Sequence, residues 1–172
     1  MDGPGHTPLT TAVSCLRYAQ QRGETTAWVQ LERGRLFPPD LAASGIDLEA
    51  LIVIHVPVEK HASGLLKASE VLLRSGGFGM VVVDLGNLAY PHSCAWQGRL
   101  LNLAREHHSW LLLIGASRHK GSLGPLVSLS IASSWTRLTS GKFLLQHQIR
   151  KDKSALLGPL TAEHRRGPDG LM

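Results

Sequence analysis

Only two cysteines occur in the 172 residues, Cys15 and Cys94, far apart and without CxxC spacing. That excludes a disulfide-built scaffold and a zinc ribbon, and points to a reducing compartment. No stretch of about eighteen apolar residues is present, so no transmembrane helix is expected. The opening Met1-Asp2-Gly3-Pro4-Gly5-His6 has neither the charged n-region nor the apolar h-region of a signal peptide. A cytoplasmic location without membrane contact is the expectation. No G-x-S-x-G elbow occurs, and neither cysteine has a His/Asp arrangement around it, so hydrolase chemistry is not indicated. The nine histidines show no ligand spacing, and His107 and His108, adjacent on a helix, would diverge. No metal is expected.

What is present is an apolar chain, 43% hydrophobic and only mildly basic at +5. Its length suits one core, since roughly 150 residues make a typical domain. Leu9, Ala12, Val13, Leu16 and Ala19 recur at helical spacing, and Gly23 is placed to cap that helix in the left-handed conformation. Thr25 to Val29 reads as a strand, and Phe37-Pro38-Pro39-Asp40 opens a short helix through Ala43. Leu51 to Val56, Met80 to Val83 and Trp110 to Ile114 are apolar on both faces, separated by helices over about 59–74 and 95–107. Continuous apolar strands alternating with amphipathic helices imply a parallel sheet covered on both sides, a three-layer α/β/α fold. Ser134 to Leu138 and Phe143 to Ile149 alternate in polarity around Thr139-Ser140-Gly141-Lys142, the pattern of a C-terminal antiparallel hairpin. One domain over residues 1–157 is expected, followed by a flexible Pro/Gly/charge-rich tail over 158–172.

A parallel sheet places its site beyond the carboxyl ends of its strands. Asp84 ends the strand Met80 to Val83, where an acid can hold a nucleotide's magnesium or simply cap the next turn. Gly3-Pro4-Gly5-His6-Thr7-Pro8-Leu9-Thr10-Thr11 has the framing of a phosphate loop, G-x-x-x-x-G-K-[ST]. Pro8 stands in place of its last Gly and Leu9 in place of its Lys. Pro8 has no N–H for a phosphate oxygen, and Leu9 cannot neutralise a β/γ-phosphate. Gly3, Pro4, Gly5, Thr10 and Thr11 are thus a degenerate phosphate loop, and neither ATP nor magnesium is expected as a cofactor.

In the order and spacing of these segments the chain resembles the core of the RecA recombinase family. Gly3-Pro4 through Thr10-Thr11 is similar to its GP-x-x-x-GKTT loop, and Ala19 to Val29 to its helix–turn–strand. Leu41 to Val56 and Leu73 to Asp84 resemble the "-LGVD-" stretch and the approach to the Walker B strand. Ile149 to Lys153 resembles a late "VKNK" turn. Glu32 falls where that family keeps the glutamate that activates water; beside Arg33, and with the lysine missing, it reads better as a surface ion pair. The intervals matching the two DNA loops are short, and the filament-forming first helix and strand are not in this sequence, so a strand-exchange filament is not implied. Within the superfamily the likeness is to the ImuA group, often labelled SulA-like, whose "GGFG-x-VV-x-DLG" matches Gly76 to Gly86.

That resemblance implies a non-enzymatic, RecA-like accessory protein of SOS-induced translesion DNA synthesis. Its partners would be a polymerase-like ImuB-type protein, with RecA and single-stranded DNA as further candidates. The alternative is a SulA-like division inhibitor that binds FtsZ. A second alternative is a weak ATPase using Glu32 and Asp84 as vestigial catalytic residues, slow because phosphoryl transfer is mostly charge stabilisation. Arg118, Lys120, Arg150, Lys151 and Lys153 fall on the family's DNA-facing side, and such a cluster would attract a phosphate backbone or be an ordinary solvated rim. Trp135 could stack on a base or belong to a core. An uncovered sheet edge would call for a partner or a second copy, a homo-oligomer. No membrane partner is implied.

Overall fold

The computed structural model describes residues 7–88, 94–115, 123–138, 142–154 and, as backbone, 162–166. Contacts gather the chain into two compact units, each with its own sheet: Ala12–Ala116, and a second joining Met1–Thr11 to Ser117–Met172. No helix among the described residues is long and apolar enough to cross a membrane.

The larger unit is a mixed α/β assembly. Helix α1 (Thr7–Gln21) enters it at Ala12, where Ala12, Leu16 and Ala19 form its buried stripe. Gly23 then reverses the chain at φ 78°, the left-handed conformation that costs glycine nothing. β1 (Thr26–Leu31), α2 (Pro38–Ala43), β2 (Leu51–Val56), a 3₁₀ turn (Val58–Lys60), α3 (His61–Arg74), β3 (Met80–Gly86), α4 (Cys94–Glu106) and β4 (Trp110–Gly115) follow. The strands form a wholly parallel sheet in the order β2-β1-β3-β4. Its two inner strands are buried on both faces: Ala27, Trp28, Val29 and Val81 to Val83 have no exposed surface. Each such valine contributes about 2 kcal/mol of transfer free energy, which is why these segments are apolar without alternation. α3 packs on β1, β2 and β3, and α4 on β4 and α3. The outer strands are wetter, with Ile52 44% and Trp110 65% exposed.

The smaller unit holds an antiparallel sheet in the order β5-β6-β7, with β5 at Leu129–Arg137, β6 at Lys142–Asp152 and β7 at Ala162–Arg166. β5 and β6 are the expected hairpin, longer than the polarity alternation alone marks. Trp135 and Leu145 pair across it, and Trp135 meets Phe143 edge-on, ring centroids 5.3 Å apart. That gives the small sheet an apolar face of its own. β7 lies within the stretch read as a tail from its Pro, Gly and charge content. Its backbone pairing with β6, Leu144↔His164 among others, supplies order that composition does not reveal.

Candidate functional site

The strand order puts a break in direction at the centre of the parallel sheet. From β1 the chain passes outward to β2, and from β3 it passes the other way to β4, so the loops leaving β1 and β3 diverge. A crevice at such a switch point is where open α/β sheets bind ligands. The strands are in register through Val29↔Val83, so Gln30 and Asp84 are the next residues at that position, one on each side of the divide.

Both side chains are buried, Gln30 at 2% exposure and Asp84 at 5%. The Asp84 carboxylate is already engaged. Its Oδ1 accepts a hydrogen bond from Arg35 Nη2 at 2.9 Å and another from the Gly86 backbone N–H at 2.9 Å. Gly86 makes the second bond possible by turning at φ 55°. Arg35 comes from the segment after β1, which folds back over the strand ends instead of running outward. Gly34 lies against the Gln30 carboxamide so closely that a Cβ there would overlap it. Gln30 Oε1 nevertheless has no hydrogen-bond partner among the described residues, an unusual state for a buried oxygen. At the switch point a guanidinium is thus set against the acid.

The acid that would hold the metal's water shell is bound to a fixed cation, and the sequence has Leu9 where a triphosphate needs a lysine. Glu32 is exposed in the turn after β1, its backbone N–H bonded to the Val56 carbonyl, and it joins no ion pair among the described residues. Gly3, Pro4 and Gly5 of the degenerate loop lie outside the described residues. Thr10 is exposed on α1, and the Thr11 hydroxyl lies 3.1 Å from that of Ser133, which in turn lies 2.9 Å from His147 Nδ1. No group of three or more metal-ligating side chains occurs among the described residues.

The basic residues are dispersed in role. Arg118 and Lys120 lie outside the described residues. Lys151 donates from Nζ to the carbonyls of Gly124 (3.1 Å) and Pro125 (3.0 Å), so its ammonium ties down the approach to β5. Arg150 and Lys153 are exposed, Arg150 at the irregularity where β6 carries a residue that β5 does not match. Trp135, half-buried against Phe143, is part of an apolar face and not an open stacking platform. Both cysteines are free thiols, Cys94 exposed and Cys15 half-buried, where burial raises the thiol pKa above its ordinary value.

Arg35, Gly34 and Gln30 are the residues that motif reasoning passed over. Their signal was a glutamine just before the end of a mostly apolar strand, followed five residues later by an arginine. No protein-family model matches the chain, and no curated protein is similar to it. Among solved structures it is similar to SulA from Pseudomonas aeruginosa, at 24% identity over 67% of this chain and 92% of that one, with a TM-score of 0.51. That likeness establishes a SulA-like fold for the mixed α/β architecture described above.

Proposed function

We propose that the chain is a non-enzymatic adaptor of the SOS response built on a RecA-like, three-layer core, acting in damage-induced translesion DNA synthesis. It would dock an ImuB-type polymerase-like protein, with RecA and single-stranded DNA as further partners, without needing a nucleotide. The observation that carries this reading is the pairing of Asp84 with Arg35, which commits the expected metal-holding acid to the chain itself. A scaffold of this kind with its nucleotide crevice closed is left with macromolecular recognition as its work. Capture assays against purified ImuB-type and RecA-type proteins test it, and failure to bind either ends the adaptor reading.

The likeness to SulA supports a second reading. A SulA-like division inhibitor would bind FtsZ and reduce its sedimentable polymer, which the adaptor would not. A weak ATPase is the third. Tight ATP binding that Asp84→Ala abolishes would favour it over both.

A further inference from the structure

We propose that the joint face of α3 and α4 around Glu70 is a docking site for an acidic polypeptide segment, held by the guanidinium groups of Arg74 and Arg99 and by the exposed side chain of Val71. This deepens the adaptor reading, on which it rests, by naming a surface and the chemistry of what that surface holds.

Arg74 and Arg99 come from different helices and share one carboxylate. Arg74 Nη2 lies 2.6 Å from Glu70 Oε1, and Arg99 Nε lies 3.9 Å from Glu70 Oε2. Glu70 is the enclosed member, its side chain 13% exposed, whereas those of the two arginines are 66% and 64% exposed. The acid therefore gathers two cations at one place and neutralises only one of them. A guanidinium carries five N–H donors in a planar fork. Arg74 spends one of them on Glu70, and neither arginine has another partner among the described residues. A second carboxylate is a natural ligand for such forks. Lys67, two turns before Arg74 on the same face of α3, adds a further exposed charge. Over the two helices four cations stand against two acids, Glu70 and Glu106. Between Lys67 and Arg74 on that face stands Val71, 59% exposed. Burial does not account for a valine there, and neither does helix propensity, which disfavours β-branched residues. An apolar side chain flanked by cations suits a segment that brings both carboxylates and a hydrocarbon group. A phosphate backbone brings the charge without the hydrocarbon, so a polypeptide is the better match.

The test uses the full chain and a short fluorescein-labelled peptide of aspartate and glutamate with one central leucine, read by anisotropy. Binding should saturate below about 1 mM and be at least about threefold tighter than for the same peptide with serine in place of leucine. Arg74→Gln and Arg99→Gln should each weaken it about fivefold or more. Should these variants unfold, Arg74→Lys and Arg99→Lys, which keep the charge and lose the fork, should still weaken it. Val71→Gln should erase the preference for leucine without lowering the melting temperature. Arg33→Gln, a charge-matched change in the exposed turn after β1, should leave the affinity within about twofold. Any of three results would overturn the proposal: no binding of the leucine peptide by wild type, equal affinity for the two peptides, or equal weakening by Arg33→Gln and by the α3–α4 variants. In the capture assays above, a partner held equally by wild type and by the Arg74→Gln/Arg99→Gln double variant would also sink the site, while leaving the adaptor reading intact. Peptide binding with the expected variant effects, but no captured partner, would do the reverse.

Discussion

The backbone of Gly34 rests on the side-chain amide of Gln30: a Cβ added to the glycine would stand 2.6 Å from Nε2 and nearer still to Oε1. Ordinarily Gly→Ala in a loop stabilises by restricting the unfolded chain. Here overlap with a buried group dominates, and Gly34→Ala should cost roughly 1–3 kcal/mol, measured by urea unfolding. Combined with Gln30→Ala, which vacates the space, most of that cost should vanish. Additive losses would show that the contact is not the cause.

Removing the guanidinium leaves a buried carboxylate with, among the described residues, the Gly86 backbone N–H as its one remaining donor. Arg35→Met should destabilise by roughly 2 kcal/mol, less than for a fully buried pair because solvent reaches the arginine. In an Asp84→Asn background the same substitution should cost little. A double-mutant cycle from denaturant titrations gives the coupling directly.

The two thiols should differ in reactivity. Exposed Cys94 should react first with a disulfide reagent, and Cys15 slowly or only after local opening. Because burial raises the Cys15 pKa in the folded state, the protonated thiol is the form that folding favours. Its contribution is therefore fully present below the ordinary thiol range and is lost as pH rises through the raised value. Wild type should lose stability in the alkaline range to a degree that Cys15→Ala does not, in unfolding curves taken across that range.

Lys151 and its neighbours should separate stability from binding. Lys151→Met removes two carbonyl contacts and should lower stability by about 1 kcal/mol. Arg150→Ala and Lys153→Ala should leave unfolding unchanged. If these cations meet single-stranded DNA, the latter pair should weaken binding uniformly across sequences and flatten its salt dependence. Fluorescence anisotropy at two salt concentrations checks this.

Much of the fold was legible because its strands are apolar on both faces and its breaks are marked by glycine. Met80 to Val83 and Leu51 to Val56 could hardly be anything else, and Gly23 turned where a left-handed residue was needed. The strand at Ala162–Arg166 was not legible, since AEHRR carries no apolar alternation and is ordered by β6. At the site, Asp84 stood out by its place at a strand end. Its partner did not, because the bond to Arg35 spans 49 positions and depends on how a glycine lets the loop fold back. Pairing Glu32 with Arg33 was the nearer guess along the chain. Long-range ion pairs leave no periodic trace in sequence.

The central place of β1 also has a temporal side. As the chain leaves the ribosome, β1 and β2 can pair once Val56 has emerged, but the opposite edge of β1 waits for Met80 to Val83. Until then Ala27 to Val29 present a raw flank of unpaired amides and bare hydrocarbon, the kind of surface that aggregates or recruits chaperones. Some two dozen codons separate the half-built sheet from its completion. Translation speed across that interval should govern the yield of native protein.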